Sequence, residues 1–243
     1  MIKNSVISNT MRDPHSPKRC DTSCGAGNDI IFHSLKSLKL ALLLKTGAIG
    51  VIPTDTIYGI SASALDKKAI ERIYAIRGRD RAKPFIVLIS SLDDIALFGT
   101  SLTNRTREDL MRIWPAPVSI ILPCTSKKFH YLHRGIKSMA FRVPAWAPLR
   151  TLLKKTGPLV STSANPEGEK PAETIGQAKK YFGTSLDFYV EKGMIRGLSS
   201  TVLRLTKDGF EVLRHGAAKK ERLYIEKQGS YVNTGQKSKR WYF

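Results

Sequence analysis

The sequence predicts a single α/β domain built on a twisted, mixed β-sheet with flanking helices. Between residues 31 and 216, short apolar runs typical of buried strands alternate with amphipathic stretches at helical spacing. Thr206-Lys-Asp-Gly209 lies between two strand-like segments and indicates a β-hairpin, so at least one strand pair is antiparallel. No internal repeat or long linker divides these residues, and a length of 243 residues suits one large domain.

The first half of the chain is predicted to alternate helices with strands. The apolar residues Ile31, Leu35, Leu38 and Leu42 recur at helical spacing over residues 31–45, and Gly47 provides a stop for this helix. Residues 48–52 form a short buried strand that Pro53 ends. The remaining elements are a helix from its Asp66 cap to about Ile76, a central strand over residues 85–89, a short helix opened by the capping box Ser90-x-x-Asp93 and closed by Gly99, and a helix from Thr103 to Ile113.

The second half opens on a turn, because Trp114-Pro-Ala-Pro117 interrupts any helix or strand. Strands are predicted over residues 118–122, 139–143, 159–161, 186–190, 200–205 and 210–213, and helices over residues 148–156 and 173–182. The last two strands flank the predicted hairpin turn.

The ends of the chain differ in composition from this body, residues 31–216. Residues 1–30 are rich in Ser, Asn, Asp and Gly, so they are predicted to form a disordered leader. They lack the apolar core of a secretory signal. Residues 217–243 contain seven basic and two acidic residues, and we expect this basic tail to strengthen non-specific association with RNA.

The body itself carries an excess of positive charge. The chain has 40 Lys and Arg against 20 Asp and Glu, a net charge of +20, and residues 31–216 hold 29 of the basic and 15 of the acidic residues. Such a field attracts polyanions such as RNA, DNA, nucleotides or anionic lipid, although solubility alone is an alternative reason for it. No apolar run approaches the roughly 18–20 residues of a membrane-spanning helix, so no membrane partner is expected.

The cysteines indicate a reducing compartment. Cys20, Cys24 and Cys124 are too few for a disulfide framework, and their number is odd. We therefore predict a cytoplasmic protein. Cys20 and Cys24 lie near His15 and His33, but their spacing is poor for zinc and no second cysteine pair exists, so no metal site is predicted.

Three polar segments follow or precede predicted strands and are the candidates for chemistry. Pro53-Thr-Asp-Thr-Ile-Tyr-Gly59 follows a buried strand, where α/β sheets commonly bind ligands, although an ordinary Asp/Thr turn would look the same. The basic segment, residues 77–83, places four cations in seven residues and is suited to phosphate. Ser161-Thr-Ser-Ala-Asn165 offers hydroxyls, a carboxamide and backbone N–H groups as an anion cradle, or it is a capped loop. The chain contains neither a P-loop nor a nucleophile motif beside its histidines.

Taken together, these segments resemble the YrdC family of threonylcarbamoyl-AMP synthases over residues 33–216. The resemblance implies one α/β domain whose sheet lines a concave basic cavity. Two departures are that Arg77 and Ala116 stand where the family commonly has Lys and Gly. The segments that carry the resemblance are Ile52-Pro-Thr-Asp-Thr-Ile-Tyr-Gly59, Arg77-Gly-Arg79 with Lys83-Pro84, Trp114-Pro-Ala-Pro-Val118, Ser138-Met-Ala-Phe-Arg-Val-Pro144, Ser161-Thr-Ser-Ala-Asn165 and Ser199-Ser-Thr-Val202.

The resemblance implies an enzyme, a nucleotidyltransferase that condenses L-threonine, bicarbonate and ATP into threonylcarbamoyl-AMP and pyrophosphate. The product serves the threonylcarbamoyladenosine modification of tRNA through a downstream transfer complex. Mg²⁺ is the implied cofactor, held mainly through the ATP phosphates. The resemblance further implies that the protein could bind tRNA or double-stranded RNA directly. The alternatives are a non-enzymatic protein that binds double-stranded RNA in ribosome maturation, and a carbamoyl-transfer domain like that of hydrogenase maturation proteins.

Residue by residue, the resemblance assigns two groups of ligands. The threonine group is Thr54, Thr56, Tyr58, Arg142 and Ser163, with Arg142 expected to bind the carboxylate. The ATP group is Arg77, Arg79, Lys83, Ser138, Asn165 and Ser200. Arg214 and Thr174 are further suggestions, and Leu88 stands where the family has a histidine that contacts threonine.

Overall fold

A computed structural model describes residues 30–207 and 209–218 of the chain. The strands are β1 (Ile30–Phe32), β2 (Gly50–Pro53), β3 (Tyr58–Ser63), β4 (Ile86–Leu88), β5 (Val118–Pro123), β6 (Ser138–Arg142), β7 (Leu159–Ser163), β8 (Phe188–Val190), β9 (Thr201–Thr206) and β10 (Gly209–Arg214). The helices are α1 (Leu38–Lys45), α2 (Lys67–Arg77), α3 (Asn104–Ile113), α4 (His130–His133), α5 (Ala147–Thr156) and α6 (Ile175–Phe182). Single 3₁₀ turns or short 3₁₀ helices cover Leu92–Phe98, Lys127–Phe129 and Gly183–Ser185.

The ten strands form one mixed sheet, in the order β1-β8-β2-β3-β7-β4-β6-β5-β9-β10. Four neighbouring pairs are parallel, β1 with β8, β8 with β2, β4 with β6, and β5 with β9. The other five are antiparallel, including the hairpin in which Thr206 faces Gly209. The predicted mixed sheet with flanking helices is therefore confirmed.

Helices cover both faces of the sheet. Because side chains alternate along a strand, Val51 packs on one side among residues of α2, α3 and α6, while Ile52 packs on the other among leucines of α1 and α5. Val87 and Leu88 divide in the same way along β4. Central strands thus bury both faces, which is why they read as continuous apolar runs in the sequence.

Local capping interactions set the boundaries of the helices that were predicted correctly. The Asp66 carboxylate accepts hydrogen bonds from the Lys68 and Ala69 N–H groups at 2.8 and 3.1 Å and so begins α2. Gly78 ends this helix in the left-handed region at φ 60°. The Thr103 hydroxyl likewise accepts from the Thr106 N–H at 3.1 Å at the start of α3.

The predicted helix over residues 31–45 is wrong in its first half. Residues 30–32 form β1, which pairs in parallel with β8, and α1 starts only after Ser37. The predicted apolar face was also the wrong one. Leu38 and Leu42 are 74% and 62% exposed, whereas Leu40 and Leu44 are fully buried. With leucine at most positions of this helix, the sequence offers several apolar stripes, and only packing against α5 selects one.

Several further features differ from the sequence prediction. Strand β3 was not predicted, because the small residues Gly59, Ser61 and Ala62 hide a strand that is buried between β2 and β7. The capping interaction assigned to Asp93 is made by Asp94, whose Oδ2 accepts from the Ser90 N–H at 2.7 Å and the Ser90 hydroxyl at 2.8 Å. The segment that follows is a 3₁₀ helix. Helix α4 was also not predicted.

Some sequence predictions lie outside the described residues. These are the leader before Ile30, the cysteines Cys20 and Cys24, and nearly all of the basic tail. They remain predictions, as does the cytoplasmic location. Within the described part, Cys124 is a buried free thiol that donates to the Phe98 carbonyl at 3.3 Å. None of the helices described is long and apolar enough to cross a lipid bilayer.

Asp187 joins α2 to the sheet just before β8. Its carboxylate accepts two hydrogen bonds from the Arg72 guanidinium, each 2.8 Å long, and one from the Ile49 N–H at 2.7 Å. Burial by itself raises the pKa of the Asp187 carboxyl, but these hydrogen bonds and the charge of Arg72 outweigh it, so the net pKa lies below its ordinary value of 3.8.

We expect Asp187→Asn to lower the free energy of unfolding by about 1 kcal/mol at pH 7, a modest effect because both partners are partly exposed to solvent. The pKa of the carboxyl is lower in the folded than in the unfolded chain, so the stabilisation is complete above the unfolded-state pKa. It is lost as the pH falls through the folded-state pKa. Denaturant unfolding at several pH values should therefore show the two proteins converging below pH 3.8. A difference that persists below the folded-state pKa would contradict this account.

Candidate functional site

A cleft with about 510 Å³ of empty space, partly open to solvent, brings together side chains from distant parts of the chain. It is framed by the turn between β2 and β3, the basic segment, the C-terminal ends of β6 and β7, the residues before β9, and the end of β10. The predicted site residues that line it are Thr54, Thr56, Tyr58, Arg79, Arg142, Ser163 and Ser200. Arg214, suggested by the resemblance, lines it as well.

The pairing of β3 with β7 explains why the threonine-rich turn and the serine-rich segment meet. Gly59 lies opposite Ser163, and Ser61 opposite Ser161. A Cβ atom on Gly59 would lie 2.5 Å from the Ser161 hydroxyl oxygen and 3.2 Å from the Thr162 carbonyl oxygen. Only glycine therefore permits this close approach of the two strands, which forms one wall of the cleft.

The turn between β2 and β3 is rigid because one hydroxyl organises it. Thr54 Oγ1 accepts hydrogen bonds from the N–H groups of Thr56 and Ile57, both at 3.2 Å, and donates to the Ile57 carbonyl at 2.6 Å. It also lies 3.0 Å from Thr56 Oγ1. The hydroxyl of Thr54 is thus engaged within the turn, whereas that of Thr56 is directed towards Arg142, 3.5 Å from its Nη1.

Arg142 forms a buried ion pair with a residue of the same turn. Its Nη2 lies 3.2 Å from Asp55 Oδ1, and the two side chains are 4% and 5% exposed. Asp55 Oδ2 accepts from the Ala145 N–H at 2.8 Å. Burial lowers the pKa of Arg142, and the negative charge of Asp55 opposes this shift. Arg142 Nε is buried and has no hydrogen-bond partner among the described residues, so this guanidinium has donor capacity beyond its pair with Asp55.

Three arginines face one another across the cleft. Arg79 is held by hydrogen bonds to the carbonyl groups of Lys83 and Pro84 at 3.3 and 3.4 Å. Arg214 Nη2 donates to the Ser200 carbonyl at 2.9 Å. Burial lowers the pKa of Arg214 to about 10, and the positive charges of Arg142 and Arg79 contribute to this shift. Cations that repel one another inside a cleft are stabilised by a bound anion, so the arrangement favours a phosphate or carboxylate ligand.

Arg77 lies behind the cleft wall and is not among the residues that line the cleft. Its Nε donates to the Asn165 carbonyl at 2.7 Å, its Nη1 to the Thr162 hydroxyl, and its Nη2 reaches the Ser163 hydroxyl at 3.4 Å. The residue is 3% exposed, and burial, followed by the charge of Arg79, lowers its pKa to about 10. Arg77 therefore fixes the segment that ends β7, and its assignment to ATP stays a prediction.

Three more of the predicted ATP and threonine ligands have structural roles in the described residues. The Tyr58 hydroxyl donates to the Gly193 carbonyl at 2.8 Å and accepts from the Lys192 N–H at 2.9 Å, so it is already engaged by the protein. Lys83 is paired with Glu167. The Asn165 amide nitrogen donates to two carbonyl groups of its own loop, both at 2.8 Å. Its Oδ1 is buried and has no hydrogen-bond partner among the described residues.

The remaining suggestions lie away from the cleft lining. Ser138 begins β6 opposite Pro123. Thr174 caps α6 by accepting from the Gln177 N–H at 3.2 Å. Leu88 lies on the same face of the sheet as Arg142, its partner in the register of β4 and β6, but it is fully buried against α1 and α5 and does not line the cleft.

Sequence reasoning missed Glu167 as a neighbour of the site. Its carboxylate contacts Lys83 and the Asp80 N–H, across a gap that no local pattern reveals. The only sequence signal was an acidic residue between Pro166 and Gly168, which is ordinary for a loop.

Comparisons with known proteins agree on a family. The model of the Sua5/YciO/YrdC family, described as "Telomere recombination", matches residues 42–216. A Marinobacter nauticus protein named threonylcarbamoyl-AMP synthase is 33% identical over 155 residues, which cover 62% of this chain and 82% of that protein. A Nitrosococcus oceani protein of the same name is 34% identical and covers 61% and 80%.

Solved structures resemble the fold. Pyrococcus abyssi Sua5, complexed with L-threonine, superimposes with a TM-score of 0.70 at 26% identity, over 77% of this chain and 57% of that one. This chain thus spans less than two thirds of the P. abyssi protein. Escherichia coli YciO superimposes with a TM-score of 0.69 at 23% identity, over 81% and 99%, and a full-length HypF with a TM-score of 0.62 at 18% identity. The last two similarities concern the fold alone.

Proposed function

Because the chain belongs to the Sua5/YciO/YrdC family, whose curated relatives are enzymes named threonylcarbamoyl-AMP synthase, we propose that it condenses L-threonine, bicarbonate and ATP into threonylcarbamoyl-AMP. The observation that carries the proposal is the convergence of Arg79, Arg142 and Arg214 with the hydroxyl-rich segments in one cleft. This arrangement suits a reaction that brings several anions together, and it requires no nucleophilic side chain.

The reaction explains why cations and hydroxyls are needed. The threonine amine and bicarbonate form a carbamate with loss of water. A carbamate oxygen then attacks the α-phosphorus of ATP, a new P–O bond forms, and the bond to pyrophosphate breaks. Both reactants are anionic, so the work of the protein is to neutralise and align them.

We assign the threonine amino acid to the side of the cleft formed by Thr56, Arg142 and Ser163. Arg142 has an unpartnered Nε and a long contact to the Thr56 hydroxyl, so it can bind the carboxylate while keeping its pair with Asp55. The structure of P. abyssi Sua5 in complex with L-threonine supports a threonine site in this fold.

We assign the ATP phosphates to the side that carries Arg79 and Arg214, with Ser200 between them. Lys83, Asn165 and Ser138 are the further ATP ligands that the resemblance proposes, and each would have to change partners or reach in from the rim. Among the described residues, no cluster of three His, Cys, Asp or Glu side chains could hold a metal ion. We therefore propose that Mg²⁺ enters as the complex of ATP, bound through phosphate oxygens and water.

The test is the release of pyrophosphate from Mg²⁺-ATP by the purified full-length protein. We expect release only when L-threonine and bicarbonate are both present, because the carbamate is the nucleophile. Omission of each component in turn is the control, and L-serine in place of threonine tests the pocket around the substrate side chain. Release that does not depend on threonine would contradict the proposed function.

Direct binding of RNA is a second candidate, favoured by the excess of basic residues in the body of the chain. tRNA and a downstream threonylcarbamoyl-transfer complex would be the partners of the synthase, while double-stranded RNA would be the ligand of a non-enzymatic protein. Adding RNA to the pyrophosphate assay separates the two. A synthase turns over without RNA, whereas a protein that only binds RNA releases no pyrophosphate under any of these conditions.

A further inference from the structure

Glu167 bridges two of the loops that frame the cleft. Its Oε1 forms an ion pair with the Lys83 ammonium, and its Oε2 accepts a hydrogen bond from the Asp80 N–H at 2.7 Å. Its own backbone N–H donates to the Arg77 carbonyl at 2.9 Å. Glu167, on the loop after β7, thus makes three contacts to the basic segment.

The groups that hold the Glu167 carboxylate are those that commonly hold a phosphate oxygen. A lysine ammonium and a backbone N–H converge on it. The negative charge of Glu167 also acts on the arginines, since burial lowers the pKa of Arg77 and Arg79 and Glu167 opposes that shift. Hydrogen bonds from Lys83 and the Asp80 N–H in turn hold the pKa of the Glu167 carboxyl below its ordinary value. Glu167 is therefore ionised at neutral pH and occupies an anion site.

The ion pair between Lys83 and Glu167 can be broken by an anion that binds Lys83 more strongly. The side chains of Lys83 and Glu167 are 30% and 32% exposed, and an ion pair so open to water is weak. The pair of Arg142 and Asp55 is different, because both side chains are almost completely buried. A nucleotide that places two or more phosphates beside Arg79 would compete for Lys83, which lies four residues along the same segment.

We propose that Glu167 is an internal competitor of the substrate phosphates. It occupies Lys83 in the empty cleft, is displaced when the nucleotide binds, and returns to Lys83 as pyrophosphate leaves. The inference rests on the proposed function, since it takes ATP and pyrophosphate as the ligands. It assigns Glu167 a role in limiting nucleotide affinity and promoting product release.

The experiment compares Glu167→Gln with Glu169→Gln in the full-length protein. Glutamine keeps an oxygen that can accept from the Asp80 N–H but loses the charge that holds Lys83. Glu169 is exposed on the same loop, so its variant removes an equal charge and controls for long-range electrostatics. Calorimetric titration with a non-hydrolysable ATP analogue and with inorganic pyrophosphate measures affinity, and thermal unfolding checks that each variant is folded.

We expect Glu167→Gln to bind both probes about three- to tenfold more tightly than the wild type, and Glu169→Gln to stay within about twofold. Glu167→Asp retains the charge but is one methylene shorter, so its affinity should fall between those of the wild type and Glu167→Gln. Inhibition of turnover by pyrophosphate should strengthen in parallel.

Three results would overturn the inference. Weaker binding by Glu167→Gln would mean that Glu167 positions Lys83 for the phosphates. Equal affinities would mean that the ion pair has no bearing on nucleotide binding. If neither the wild type nor the variants bind the ATP analogue or pyrophosphate, these residues do not form an anion site. Failure of the proposed function would give a different result. If Glu167→Gln binds the probes more tightly but the protein shows no threonine-dependent release of pyrophosphate, the role of Glu167 is supported and the synthase function is refuted.

Discussion

Arg142→Met is expected to lower the free energy of unfolding by about 3–5 kcal/mol and to abolish threonine-dependent release of pyrophosphate. The loss of stability follows from burial, because the variant leaves the Asp55 carboxylate without its counter-charge in a site that is 5% exposed. The loss of activity has a different cause. The variant removes the guanidinium that we assign to the threonine carboxylate. Denaturant unfolding and the pyrophosphate assay measure the two effects separately.

A double variant that combines Asp55→Asn with Arg142→Met separates the structural role from the functional one. It removes both charges, and the new asparagine amide can still accept from the Ala145 N–H, so we expect most of the stability to return. Activity should not return, because no group replaces the guanidinium. If the double variant regains threonine-dependent turnover, Arg142 does not bind the substrate. If it is no more stable than the single variant, the two charges are not coupled.

Arg77→Ala should reduce threonine-dependent pyrophosphate release about 100-fold, although Arg77 does not line the cleft. The side chain makes three hydrogen bonds to the segment that ends β7, including those to Thr162 and to the Asn165 carbonyl. Without them, the wall that carries Ser163 is no longer held, and a displacement of about 1 Å in an aligned site can cost about 100-fold in rate. Steady-state kinetics should show the loss mainly in kcat.

Two further variants define this role. Arg77→Lys retains the charge but replaces a three-pronged donor with a single ammonium, so its activity should lie between those of wild type and Arg77→Ala. Arg81→Ala removes an exposed arginine of the same basic segment, which pairs with Glu71 at the surface, and should leave turnover unchanged. A folded Arg77→Ala protein with wild-type turnover would show that the segment keeps its geometry without Arg77.

Most of the sheet could be predicted from the sequence because its strands are apolar runs bounded by proline, glycine and polar residues. The failures have a common cause. Strand β1 is only three residues long and exists because β8 offers it an edge, and α1 turns a different face inward than its leucine spacing suggested. Both depend on neighbours that are remote in sequence, which local patterns do not record.

The site was predicted less completely than the fold, for a related reason. Motif positions matched to the family indicated which side chains lie near the cleft, and Thr56, Arg79, Arg142 and Ser200 do line it. They could not show which polar groups are already engaged by the protein. Arg77 was therefore assigned to the ligand although its donors serve the cleft wall. Such partnerships are formed between loops and require coordinates.

The order of the strands in the sheet has a consequence for how the protein is made. Strand β7 lies between β3 and β4, and β9 pairs with β5. Arg214 is on β10, which forms a hairpin with β9. A chain emerging from the ribosome therefore has no cleft until the codons for its last strands have been translated. Pairings this remote in sequence are slow to form, since the entropy of closing long loops must be overcome first. A nascent or prematurely terminated chain would expose unpaired strand edges, which are prone to aggregation until the last strands close the sheet.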